Sequence, residues 1–133
     1  GQADIKRAGN DVTVVATALM VKRALAAAER LRNDGIDVEV LDLRSLVPMD
    51  EQAVLTSVRR TGRLVVACEA IKRGGSANEV VSLVAEEAFA DLRAPIARVA
   101  PPSVPVPYHR ELEKLYLPDH DDIADAVRRV MAA

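Results

Sequence analysis

Cysteine is nearly absent: Cys68 stands alone, so no intrachain disulfide can form. Its place in the apolar run Leu64-Val65-Val66-Ala67-Cys68 reads as a small buried hydrophobe in a reducing compartment, and with no histidine beside it in sequence a catalytic thiol is the weaker reading. No apolar run approaches the ~20 residues of a membrane-spanning helix, and the start at Gly1 lacks the basic and apolar regions of a signal peptide. Beginning without Met, the chain reads as a fragment of a longer polypeptide. Blocks of one charge are missing too. The 18 basic and 20 acidic residues are interspersed and leave a formal charge of -2, so nothing marks a nucleic-acid or anionic-membrane surface. His109 and His120 lack metal-ligand spacing to Cys68 or to each other and read as solvent-exposed loop residues. There is no Gly-x-Ser-x-Gly elbow, which argues against a free-standing hydrolase, and no internal repeat or low-complexity tract.

What is present suits one domain. A chain of 133 residues, 50% of them hydrophobic, can enclose one core, and residues 1–133 read as a single domain. Val38-Glu39-Val40-Leu41-Asp42 is an apolar strand that leaves the core through a polar turn. The chain then restarts as a helix behind Pro48 and Asp50, with Val54, Leu55 and Val58 inward and Gly62 as its stop. Neighbouring segments repeat this pattern. Val12-Thr13-Val14-Val15-Ala16-Thr17 is β-branched and almost continuously apolar, as a strand covered on both faces is. Val21, Ala24, Leu25, Ala28 and Leu31 recur at helical spacing opposite Lys22, Arg23, Glu29 and Arg30, with Gly35 beyond them. Residues 64–68 give another strand. Ser76-Ala77-Asn78-Glu79 fits a capping box opening a helix that turns Val80, Leu83, Val84 and Ala88 inward and ends before Pro95, after which residues 96–99 form the last strand. Residues 3–7 are a short additional strand ahead of the turn Gly9-Asn10-Asp11. Pro101, Pro102, Pro105 and Pro107 predict a stiff, extended connector over the sheet through residue 118. A final helix starts at Asp119, with Asp121 and Asp122 in its first turn, Arg128 and Arg129 near its end, and Ile123, Ala126, Val127, Val130 and Met131 inward. Alternating strands and helices imply right-handed crossovers and a mostly parallel sheet between helical layers.

In such sheets ligands bind beyond the carboxyl ends of the strands, which here carry Thr17, Asp42, Arg44, Glu69 and the loop to Gly75. Asp42, Arg44 and Glu69 are candidates for an acid, base and anchor set, or for an ion pair tying strand ends together or to a neighbouring subunit. Lys72-Arg73-Gly74-Gly75-Ser76 is a candidate anion site, because glycines admit close backbone approach and a helix N-terminus offers free N–H groups beside two cations. The same residues also read as a glycine turn into a capped helix. Phe89, the only phenylalanine, falls off the buried stripe of its helix and either faces a partner or packs under the proline-rich connector.

Taken in order, Asp11-Val12-Thr13-Val14-Val15, Asp42-Leu43-Arg44-Ser45-Leu46-Val47-Pro48-Met49-Asp50, Thr61-Gly62-Arg63-Leu64-Val65-Val66, Glu69-Ala70, Gly74-Gly75, Ala94-Pro95-Ile96-Ala97-Arg98-Val99 and Pro105-Val106-Pro107-Tyr108 form a recognisable set. They resemble the C-terminal, transketolase C-terminal-like domain of the beta subunit of thiamine-diphosphate-dependent 2-oxoacid dehydrogenases, the group of pyruvate, branched-chain 2-oxoacid and acetoin dehydrogenases. The resemblance covers essentially the whole chain. It implies an α/β domain of three layers, α/β/α, with a five-stranded, mostly parallel sheet of order 1-3-2-4-5 whose first strand is antiparallel. It also implies a parent heterotetramer of two alpha and two beta subunits, where thiamine diphosphate with Mg binds between alpha and the N-terminal domain of beta. There the cofactor attacks a 2-oxo acid, carbon dioxide leaves, and the acyl group passes to a lipoyl arm. The activating glutamate of that family lies in the N-terminal domain. No residue of this chain is therefore assigned a catalytic, cofactor-binding or metal-binding role, and the domain alone is expected to be inactive and to bind no cofactor.

What the resemblance leaves to this domain is assembly. It implies contacts with the alpha subunit and a second beta subunit, and docking of the subunit-binding domain of the dihydrolipoyl acyltransferase, with Phe89, Arg93 and the terminal carboxylate of Ala133 as candidate docking residues. Binding domains of that type carry basic residues, to which Arg93 is poorly matched. No nucleic-acid or membrane partner is expected, and the parent is placed in the bacterial cytoplasm in preference to the mitochondrial matrix. The rival reading is a regulatory domain that binds an anionic effector with the Lys72 to Ser76 loop.

Overall fold

The β-branched runs form the middle of the sheet. A computed structural model describes residues 1–133, with strands β1 (Asp4–Arg7), β2 (Val12–Ala16), β3 (Val38–Asp42), β4 (Leu64–Ala67) and β5 (Ala97–Val99). The helices are α1 (Leu19–Arg32), α2 (Glu51–Thr61), α3 (Ala77–Glu87), α4 (Arg110–Tyr116) and α5 (His120–Ala132). The strands make one five-stranded sheet of order β1-β3-β2-β4-β5, in which β1 is antiparallel to β3 and every other pair is parallel. This is the expected three-layer topology. Every residue of β2 and β4 is buried, as befits strands covered on both faces. Alternate side chains feed two cores: Val12, Val14, Val40 and Val65 pack with α1 and α5, while Val15, Leu41, Leu64 and Val66 pack with α2 and α3. No helix is long and apolar enough to cross a membrane.

The α2 unit shows how local chemistry sets the frame. Asp50 caps the helix by accepting from the Ala53 N–H (3.1 Å), and its other oxygen accepts from the Ala3 N–H (2.9 Å), which ties the start of the chain to this helix. Gly62, at φ +70°, turns the chain out of α2 and into β4.

Several expectations need correction. Ser76 forms no capping box: its backbone is already helical (φ -58°, ψ -22°), so its hydroxyl cannot turn back onto the first-turn amides. The box occurs instead on α5, where Asp119 accepts from the Asp121 and Asp122 N–H groups and Asp122 accepts from the Asp119 N–H. α3 stops at Glu87 because Ala88 leaves the helical region (φ -142°) as it buries its methyl group, and a 3-10 turn, Phe89–Asp91, follows. The proline-rich connector is not extended throughout. Its prolines cease at Pro107, and the proline-free stretch beyond forms α4, capped by His109 and anchored by buried Tyr116. On α1, Ala27 takes the fully buried place expected for Leu25, which is only partly buried, and on α5 Ala124 is buried where Met131 is only partly so.

One charged side chain lies inside. Glu39 on β3 is 1% exposed at its side chain and pairs with Arg60 of α2, beside a buried Thr13–Thr61 hydroxyl bond (2.9 Å).

Candidate functional site

The chain leaves β2 toward β3 and leaves β4 toward β5, so the topological switch point lies between the carboxyl ends of β2 and β4. That crevice is filled. The cavity there, lined by Thr17, Leu43, Cys68, Ser76 and Ala77 among others, measures about 10 Å3, room for at most one water. Glu69 follows β4 and its Oε2 accepts from the Leu19 N–H (3.3 Å), placing a carboxylate at the start of α1. Asp42 Oδ1 accepts from the Arg44 N–H (2.9 Å), which holds Arg44 at φ +59°, and Asp42 Oδ2 lies 4.0 Å from Lys6 Nζ. Asp42 and Glu69 are thus used locally, the Arg44 side chain is exposed, and the three are not brought together as a catalytic set.

Cys68 is buried, and its thiol donates to the Ala70 carbonyl (3.2 Å). Burial raises its pKa above the ordinary thiol value, which keeps it protonated and a poor nucleophile. His109 Nδ1 accepts from the Glu111 N–H (3.3 Å) as the cap of α4, and His120 opens α5. The residues present do not fit thiamine diphosphate and its Mg ion. No group of three or more His, Cys, Asp or Glu side chains is arranged so that it could hold a metal ion, and the switch-point cavity is far too small for the organic cofactor.

In the Lys72 to Ser76 loop, Lys72, Arg73 and Gly74 are exposed, whereas Gly75 is buried, and a Cβ on it would lie 2.5 Å from the Ile71 carbonyl oxygen. The loop folds back on itself there. The Asn78 and Glu79 amides donate to Gly75 O (3.0 Å) and Ser76 O (3.2 Å), so these helix-start groups are in use. Arg98 of β5 fastens the loop, donating from Nη1 to the Lys72 carbonyl (3.1 Å) and to Asn78 Oδ1. The cations that come together are not Lys72 and Arg73. Lys72 lines a cavity of about 420 Å3 along β5 with Arg98 and Arg129, closed by Pro95, Ile96 and Ala133.

Phe89 is 73% exposed and does not pack under the connector. It lines an apolar cavity of about 600 Å3 with Leu92, Ala94, Pro95 and Ile96. Pro95 and Ile96 border both cavities, so Phe89 and Ala133 belong to one continuous surface along β5. Arg93 stands apart from both cavities: its N–H donates to Gly62 O (2.8 Å) and its side chain lies over Gly62. Arg98 and Arg129 were not legible as part of this surface. The one available signal was that residues 96–99 form the last strand of the expected order and so an edge.

Comparison with known proteins adds the following. Residues 1–123 match the family model described as "Transketolase, C-terminal domain". The chain is 48% identical over 131 residues to the acetoin:2,6-dichlorophenolindophenol oxidoreductase subunit beta of Cupriavidus necator, and covers 98% of this chain and 39% of that subunit. It is 40% identical over 131 residues to the 2-oxoisovalerate dehydrogenase subunit beta of Bacillus subtilis, covering 98% of this chain and 40% of that subunit. Among solved structures, a split-gene transketolase described as an inactive beta4 tetramer superposes with a TM-score of 0.85 at 30% identity, covering 98% of this chain and 41% of that one. The chain therefore spans about two fifths of the length of these relatives.

Proposed function

The chain belongs to the transketolase C-terminal domain family, and from that membership we propose that it is the assembly and partner-docking domain of the beta subunit of a thiamine-dependent 2-oxoacid or acetoin dehydrogenase. On this reading the domain contributes no catalytic group. The parent enzyme, two alpha and two beta subunits with thiamine diphosphate and Mg, decarboxylates a 2-oxo acid or cleaves acetoin and passes the acyl group to a lipoyl arm. This domain holds alpha and the second beta subunit in place and receives the subunit-binding domain of the dihydrolipoyl acyltransferase at the surface bearing Phe89 and Ala133. The compartment proposed is the bacterial cytoplasm, where a lone thiol such as Cys68 stays reduced.

The observation that carries the reading is the contrast between two places in the fold. The switch point, where an α/β sheet ordinarily takes its ligand, is packed shut. The flank of β5, outside the sheet, presents an exposed aromatic ring beside an apolar cavity, as partner-binding surfaces do.

Activity tests it. The longer polypeptide that carries this domain is expected, with its alpha subunit, thiamine diphosphate and Mg, to turn over a 2-oxo acid or acetoin. Residues 1–133 alone are expected to show no turnover, and measurable turnover by that chain would overturn the reading.

A further inference from the structure

We infer that the loop between β3 and α2, which holds Leu46 and Val47 out beyond the carboxyl ends of the strands, is the seat of the polypeptide that precedes Gly1 in the longer subunit. Val47 is 93% exposed and Leu46 50%, and Leu19, just beyond the neighbouring strand β2, is 37% exposed. The turn that carries the first two is braced. Arg44 starts it with a left-handed backbone (φ +59°), held by the bond from its N–H to Asp42 Oδ1 (2.9 Å). The Ser45 N–H then donates to the Leu43 carbonyl (2.6 Å) and the Ser45 hydroxyl to the Pro48 carbonyl, so Leu46 and Val47 stand on a loop bonded at both ends. Ala18, after β2, is the other non-glycine residue with positive φ (+48°). Both lie beyond the carboxyl ends of adjacent parallel strands, and residues held in such conformations cluster at functional sites.

The surface suits a protein segment and not a small ligand. Leu19, Leu46 and Val47 line none of the cavities in the chain, and the cavity at the nearby switch point measures only about 10 Å3. A projecting apolar tip enters a recess in another surface instead of receiving a molecule. Its size and place select that surface. A free-standing interface takes roughly 20–30 residues a side, far more than three apolar side chains supply. A tethered partner needs less, because a direct chain connection sets an effective concentration on the order of millimolar. The tether enters at this loop. Gly1 lies against Pro48, where an added Cβ would be 3.1 Å from Pro48 Cγ, and the Ala3 N–H donates to Asp50 Oδ2 (2.9 Å) at the far end of the same loop. A polypeptide joined to Gly1 therefore arrives beside Val47. This inference rests on the reading of the chain as the C-terminal part of a longer subunit, with which the family description and the span of about two fifths of the relatives' length agree.

Thiol labelling read by mass spectrometry tests this on the full-length polypeptide that carries the chain, with and without its alpha subunit. Val47→Cys is expected to react at least about tenfold more slowly in the native polypeptide than in urea, with alpha and without it, although Val47 is 93% exposed in this domain. A second measurement identifies what covers it. The photoreactive residue p-benzoylphenylalanine in place of Val47 is expected to cross-link on irradiation to a residue preceding Gly1 in the same polypeptide, leaving its mass on a denaturing gel unchanged. Labelling as fast in the native polypeptide as in urea, protection that arises only with alpha, a cross-link to a second chain, or no cross-link would each overturn the proposal. Neither readout uses turnover or an acyltransferase, so an active enzyme whose Val47→Cys labels freely would lose this contact and keep the assembly role.

Discussion

Arg60→Ala is expected to destabilise the domain by removing the partner of a buried charge. Glu39 projects from β3, an interior strand of the sheet, with 1% of its side chain exposed, and its Oε2 is paired with Arg60. Its other oxygen lies 3.4 Å from the Thr13 hydroxyl, a weak bond that cannot replace a guanidinium. Breaking a fully buried pair by deleting one member costs about 3–5 kcal/mol, whereas exposed pairs are worth about 0–1 kcal/mol. Arg60 is 41% exposed, so water reaches one end of this pair, and the loss lies between those limits at about 2 kcal/mol. Against a typical total of about 5–15 kcal/mol that is easily read from urea titrations followed by far-ultraviolet circular dichroism. The double variant Glu39→Leu with Arg60→Ala removes the stranded carboxylate and fills its space with a side chain of similar volume. Thr13 keeps its hydroxyl bond to Thr61 (2.9 Å). The double variant is expected to be more stable than Arg60→Ala alone by about 1–2 kcal/mol. Arg60→Ala within about 0.5 kcal/mol of the parent, or a double variant less stable than the single, would refute the reasoning, because Glu39 would then tolerate burial unpaired.

Three more outcomes are expected. Asp50 and Asp119 have pKa values below the ordinary 3.8, the first chiefly through the N–H bonds from Ala3 and Ala53, the second chiefly through that from Asp122. A lowered native pKa means stability that is fully present above 3.8 and is lost as pH falls below it toward the native value, so the double variant Asp50→Asn with Asp119→Asn should show a shallower acid loss in denaturation series from pH 5 to 2, and an unchanged slope would contradict this. Leu31, fully buried, should cost about 2–5 kcal/mol when changed to Ala, and partly buried Leu25 distinctly less; equal losses in parallel urea titrations would show the burial of α1 to be wrong. Cys68 should react with a thiol reagent at pH 8 far more slowly in the folded protein than in urea, and rapid labelling of the folded protein would contradict its buried, protonated state.

Much of this fold is written locally. Asp50 and Gly62 bracket α2 in the sequence as they do in space, because one supplies an oxygen for a free amide and the other a left-handed turn, and both needs are met within a few residues. The strand order followed from the family resemblance, since alternation of strands and helices fixes handedness but not sequence of pairing. Local pattern misled where a neighbour intervened. Ser76 has the right spacing to Glu79 for a capping box, but the turn at Gly75 already sets it helical, and the box formed at Asp119 and Asp122 instead. The prolines up to Pro107 gave α4 the look of a connector, although none falls within the helix itself. Glu39 stands out in an apolar strand, but its partner Arg60 lies on another element and no spacing points to it. The cavity along β5 that Lys72, Arg98 and Arg129 line was illegible for the same reason. Lys72, Arg98 and Arg129 form no motif along the chain and meet only once β5 takes the edge of the sheet.

The most direct test of the docking role is a calorimetric titration of the assembled protein with the subunit-binding domain of its cognate dihydrolipoyl acyltransferase, with Phe89→Ala measured alongside. Saturable binding by the parent, at least about tenfold weaker after loss of this exposed ring, is the predicted result. No binding by a folded, assembled protein would contradict it.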